Sequence, residues 1–136
     1  MMVSKTFEIL VKSSRRKEFI EITSQIEKVI RESNVNSGIA VLFVPHTTAG
    51  IIINEHADPS VKSDIEDHLS LLVPENKHYK HLEGNADAHI KSVLVGNSLT
   101  LPVDNGKPVL GTWQGIFFAE FDGPRTRKVL VKILGE

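Results

Sequence analysis

The sequence predicts an α+β domain built on a largely antiparallel sheet. Three observations carry that expectation. Short apolar runs of period two lie at both ends of the chain, two amphipathic stretches of helical period lie between them, and strands and helices do not alternate as a parallel sheet requires. With 136 residues, 40% hydrophobic and 24% charged, the chain reads as one domain over 1–136, large enough to bury a core without staples.

The elements follow in order. Lys5 to Val11 places Phe7, Ile9 and Val11 on one side of a first strand. Ser13 and Ser14 are candidate caps for a helix whose apolar positions are Phe19, Ile22, Ile26, Val29 and Ile30, with Glu21, Lys28 and Glu32 opposite. Asn34 to Gly38 stops it. Ile39 to Val44 and Ile51 to Ile53 read as buried strands flanking a polar cluster. Asp58-Pro59 is a helix start, because Asp accepts orphan N–H bonds and Pro suits the first turn. Its stripe is Val61, Ile65, Leu69 and Leu72, ended by Pro74. Asn85 is expected to cap a short helix through Val95 that buries Ala86, Ile90, Val93 and Leu94. The last third reads as β: Ser98 to Val103, a turn at Asp104-Asn105-Gly106, Val109 to Phe121, a corner at Asp122-Gly123-Pro124, and Lys128 to Leu134.

Composition narrows the function. A net charge of −1 argues against nucleic acid and anionic membrane surfaces, and the absence of cysteine excludes disulfides and thiolate chemistry. The N-terminus lacks a signal-peptide pattern and no run reaches membrane-spanning length, so a cytoplasmic location is expected.

The chemistry-bearing residues cluster in three places. His46, Thr47 and Thr48 interrupt the most apolar run of the chain, where a polar group must be hydrogen-bonded. His81 and His89 flank the short helix, and together with His46 they form a candidate three-histidine site for a divalent metal, magnesium or zinc. Solvated or hydrogen-bonded histidines are the alternative. His68 reads as a core histidine paired with Asp64, while His56 and His78 read as solvated. In GTWQG, the glycines imply close approach of backbone or ligand. Gln114, Ile116, Phe118, Glu120 and Asp122 share one strand face, and Trp113, Phe117 and Phe121 share the other. The paired carboxylates can serve as acid, base or metal ligand, whereas Trp113 reads as core before ligand platform. Arg125 and Arg127 suit phosphate oxygens, as do the free N–H groups after Asn85, with a solvated turn as the alternative.

The stretches PHTTAGIIINE, HLEGNADAHIK, LTLPV and LGTWQGIFFAEFDGPR together resemble the YjbQ-like family, often labelled secondary thiamine-phosphate synthases. The resemblance covers nearly the whole chain. It implies a β-sandwich-like core with two to three helices, assembled as a homotrimer. It also implies a polar pocket of His46, Thr47, Asn54, Glu55, His89, Trp113, Gln114 and Glu120, closed by a neighbouring subunit. The implied activity joins hydroxymethylpyrimidine diphosphate to a thiazole phosphate with loss of pyrophosphate, as a secondary activity within the family. In that reading a metal ion or Arg125, Arg127 and Lys91 neutralise the leaving group, Glu55 or Glu120 holds an aminopyrimidine edge, and Trp113 stacks on the ring. The alternatives are a metal-dependent hydrolase and a trimer that binds a small, phosphorylated molecule without turnover.

Overall fold

Phe7, Ile9 and Val11 share one face near the start of the chain, and the computed structural model, which describes residues 1–136, folds them into strand β1 (Val3–Lys12). There follow β2 (Glu18–Glu21), α1 (Thr23–Ser33), β3 (Gly38–Phe43), β4 (Ala49–Glu55), α2 (Pro59–Leu72), α3 (Ala86–Val95), β5 (Ser98–Asp104), β6 (Lys107–Pro108), β7 (Gln114–Glu120) and β8 (Thr126–Gly135). The strands form two sheets, ordered β1-β8-β3-β5-β6 and β2-β7-β4, in which every pairing is antiparallel. This is the expected α+β fold with three helices.

The main core lies between the sheets. Val129, Val131 and Ile133 of β8, Ala40 and Leu42 of β3, and Ile116 and Phe118 of β7 meet Ile26, Val29 and Ile30 of α1 there. The alternate residues of β7, Phe117 and Ala119, face the other way and pack with Phe19, Ala88 and Phe121 in a second cluster, against which Ile65 and Leu69 of α2 rest. The period of two read in GIFFAEF therefore divides two cores, as expected of a strand covered on both faces.

Three expectations for the first helix and for β7 are corrected. The first helix starts later: Phe19 and Ile20 belong to β2, paired with Ala119 and Phe118. The spacing of Phe19 to Ile22 imitates a helical turn, but pairing with a central strand overrides it. Ser13 and Ser14 do not cap α1, which begins after Ile22 with no side-chain cap. The predicted strand Val109 to Phe121 is also shorter, since residues 109–113 leave the ladder before β7 begins.

α2 does start at Asp58, whose carboxylate accepts from the Ser60 N–H at 2.9 Å. No α2 residue is fully buried, and Leu72 is exposed. His68 is exposed too and makes no bond to Asp64, so it is not a core histidine.

α3 departs furthest. It buries Ala86, Asp87, Ala88, Lys91 and Ser92, while Ile90, Val93 and Leu94 face outward. Asn85 stands at its N-cap but donates to Asp122 Oδ2 at 2.9 Å instead of capping. Gly50 permits the close seat of this helix, because a Cβ there would lie 2.6 Å from the Gly96 carbonyl oxygen. No helix is long and apolar enough to cross a membrane.

Candidate functional site

The His-Thr-Thr cluster sits where the chain leaves one sheet for the other. β3 pairs with β8 as far as Phe43 opposite Leu130. Beyond that the chain turns away at Pro45, which has no N–H to offer a ladder. The amide of Lys128 would be left without a partner on that side. His46 reaches back to satisfy it, with Nε2 accepting from the Lys128 N–H at 2.9 Å. Burial and the cations of Arg127 and Lys128 push the His46 pKa below the ordinary histidine value, with Glu120 opposing them.

Thr48 answers the other half of the question. It is buried, and its hydroxyl accepts from an Arg127 Nη2–H at 2.8 Å. Arg127 in turn forks onto Glu120, with Nε 2.9 Å from Oε1 and Nη2 on Oε2. Glu120 is fully buried and also accepts from Ser13 Oγ at 2.7 Å and from the Asp122 N–H at 3.1 Å. Burial alone would raise its pKa, but the bonds from Arg127, Ser13 and Asp122 outweigh that and hold it below the usual carboxylate range. With four donors on two oxygens, Glu120 has no capacity left to act as base or metal ligand. Its function is to hold β7, β8 and the sheet crossover together.

The phosphate cradle expected of the basic residues is likewise dispersed. Arg127 belongs to the buried network. Lys91 is buried beneath α3, 3.3 Å from Asp87, and burial pushes its pKa down against that partner. Only Arg125 is open to solvent, and its Nε and Nη2 are turned onto Asp122 at 2.7 and 3.1 Å.

Asn54, Glu55, Trp113 and Gln114 gather elsewhere. In the β4–β7 ladder Glu55 lies opposite Gln114 and Asn54 opposite Gly115, whereas Ala49 lies opposite Glu120. Six residue steps separate these ends, roughly 20 Å at the rise of an antiparallel strand. Trp113 is 63% exposed rather than core. Glu55 uses one oxygen to accept from the Ala57 N–H at 2.9 Å, and Gln114 uses its carbonyl to accept from Gly111 at 2.8 Å. The close approach expected of the GTWQG glycines is real at Gly115: a Cβ there would meet Glu21 Oε2 and His56 Cβ at 2.7 Å each. His56 is bonded to Glu21 at 2.8 Å rather than merely solvated.

His81 and His89 meet edge to face, ring centroids 5.2 Å apart. His89 also lines an open depression of about 480 Å³ with His46, Thr47, Ser92, Val93, Gly96 and Asn97. Yet no three His, Asp or Glu side chains are disposed to hold one ion, and the Nε2 lone pair of His46 is already used by Lys128. The residues of a single chain do not fit a His46–His81–His89 metal centre.

The structure thus groups the expected residues into two half-sites: His46, Thr47 and His89 at one end of the strand pair, and Asn54, Glu55, Trp113 and Gln114 at the other. Sequence reasoning missed the structural role of Arg127, Glu120 and Ser13, the last two bonded across 107 residues, and it missed Asn97 in the depression. Neither carries a local signal, because both depend on how the sheets cross.

Comparison with known proteins agrees with this fold. Residues 7–136 match the family described as UPF0047 protein YjbQ-like. A UPF0047 protein of Methanocaldococcus jannaschii is 58% identical over 136 residues, covering 100% of this chain and 99% of the relative. The UPF0047 protein YugU of Bacillus subtilis is 48% identical over 92% of this chain and 96% of its own. Among solved structures, a YbjQ-like protein of unknown function from Sulfolobus solfataricus superposes with a TM-score of 0.96 at 37% identity, covering 100% of both chains. A protein of the same family from Clostridium acetobutylicum gives 0.91 at 54% identity, over 93% of this chain and 98% of its own.

Proposed function

We propose, for a chain that belongs to the YjbQ-like UPF0047 family, a transferase of the thiamine-phosphate synthase type whose site is completed between the copies of a homotrimer. The observation that supports this is the separation of the two half-sites along one strand pair. Side chains roughly 20 Å apart cannot touch one small ligand. A second copy, set head to tail, brings the far end of its own strand pair to the first.

The surface beside His89 suits such an approach. Ile90, Val93 and Leu94 are 38%, 82% and 60% exposed on α3. Apolar side chains gathered on one helix face mark an interaction surface more than a solvated one.

The two half-sites differ in the way the reaction requires. Trp113 offers an open aromatic face, Glu55 a carboxylate oxygen with no bond, and Asn54 and Gln114 their amide N–H groups. That set suits an aminopyrimidine ring. The other end carries the His46 imidazole and the Thr47 hydroxyl, suited to a diphosphate. In the reaction, the thiazole nitrogen bonds the pyrimidine methylene carbon as the carbon–oxygen bond breaks, and the electron pair leaves with pyrophosphate. Donors aimed at the leaving oxygens lower that barrier. No step is assigned to a resident metal, because the residues do not fit one.

The test supplies hydroxymethylpyrimidine diphosphate and thiazole phosphate to the purified protein and measures thiamine monophosphate and pyrophosphate together. Equal amounts of both are expected, and Trp113→Ala should abolish them. Tight binding of the substrates without product would replace this reading with a binding trimer. Release of phosphate or pyrophosphate without thiamine monophosphate would replace it with a hydrolase.

A further inference from the structure

The hydrogen bond between Lys128 and His46 decides more than the end of a strand. A neutral imidazole has one donor nitrogen and one acceptor nitrogen. Nε2 accepts from the Lys128 amide at 2.9 Å, so the proton of the neutral ring is on Nδ1. The opposite tautomer would set two N–H groups against each other, and so would an imidazolium. That amide cannot rotate away, since Lys128 is held in the β1–β8 ladder opposite Leu10.

We propose that His46 is a tautomer-locked hydrogen-bond donor, whose Nδ1–H reads an acceptor-only oxygen of an anionic ligand in the depression shared with Thr47, His89 and Asn97.

The rest of that depression agrees. Ser92 Oγ is spent on the Ala49 carbonyl at 2.6 Å. The Thr47 hydroxyl, the Asn97 amide and the His89 ring make no bond within the chain and remain for a ligand. None is a fixed anion. Burial first, and then the cations of Arg127 and Lys128 against Glu120, also oppose a second proton on the His46 ring. His46 is therefore neither a general base nor a metal ligand through Nε2. Its role is to orient a phosphate or carboxylate oxygen, as a fixed dipole does in an anion hole.

This inference concerns the same depression as the transferase reading but stands on the Lys128 bond and the unbonded groups beside it rather than on turnover, so it survives a failed turnover assay. Nitrogen-15 correlation spectra of the wild-type imidazoles, recorded in mildly alkaline buffer, test it directly. His46 should show a protonated Nδ1 and a pyridine-like Nε2. Added pyrophosphate should shift the Nδ1 signal, whereas added zinc should leave both nitrogens where they are. His46→Asn keeps an amide donor near the Nδ1 position and should retain pyrophosphate binding within a few-fold. His46→Ala should weaken it about tenfold or more, the scale of a hydrogen bond to a charged group. A protonated Nε2, a zinc-induced shift of His46, or no response to pyrophosphate in the wild type would each overturn the proposal.

Discussion

The two ends of the β4–β7 strand pair carry motif residues of similar polarity, yet they are built on opposite principles. At the Ala49–Glu120 end, Glu120 and Arg127 are buried, Thr48 is bonded to Arg127, and both Glu120 oxygens have their donors. At the Glu55–Gln114 end, Trp113 and the side-chain amides of Asn54 and Gln114 stand open. The buried ion-pair network of the first end is complete within one chain. The second leaves an aromatic face and two side-chain amides exposed. A buried ion pair fixes geometry at a cost in desolvation, so the closed end reads as an anchor for the strands beside His46, and the open end is where the proposed neighbouring copy would dock.

Breaking the closed end should have the largest effect. Arg127→Ala leaves the Glu120 carboxylate buried without its cation and should cost about 3–5 kcal/mol in urea unfolding. Replacing both Arg127 and Glu120 with apolar residues of similar volume should recover much of that loss. The same pair predicts a pH effect. The folded pKa of Glu120 lies below its ordinary value, so its contribution is fully present above the unfolded carboxylate pKa of about 4.3. It is lost as the pH falls through the folded value. The stability advantage of wild type over Glu120→Gln should therefore shrink on acidification and stay flat from neutral to alkaline pH.

An intermediate effect is expected at the exposed face of α3. Leu94→Asp should weaken self-association by roughly 2 kcal/mol per interface, the scale of a central interface residue, measured by sedimentation. A wild-type chain that stays monomeric at micromolar concentration would remove the assembly. The smallest effect on stability belongs to the open end: Trp113→Ala should change unfolding by less than about 0.5 kcal/mol, as for an ordinary surface position.

The contrast also marks what could be read in advance. Asp58-Pro59 announced α2 because the capping chemistry is local. The alternation in GIFFAEF announced β7 with both its cores, because each face is covered by the chain itself. α3 was legible as a helix but not in its orientation. Periodicity says which residues share a face, not which face the rest of the molecule covers. There Asp87 and Lys91 satisfy one another inside while Ile90, Val93 and Leu94 are left outside. The gathering of His46 with Glu55 and Trp113 was likewise expected from resemblance, and one chain does not bring it about. His46 stood out as a polar residue in an apolar run, but its bond to a backbone amide 82 positions away leaves no trace in the local pattern.

Complementation between subunits tests the central claim most directly. His89→Ala removes a side chain from one half-site and Trp113→Ala from the other, and neither side chain makes a hydrogen bond within the chain. Each variant alone should lose binding of hydroxymethylpyrimidine diphosphate. If every site joins one end from each of two neighbouring copies, unfolding and refolding the two variants together in equal amounts should restore about a quarter of the wild-type sites, the chance that an intact end meets an intact end in a ring. No recovery in the refolded mixture, with trimers of both variants present, would contradict a site shared between copies.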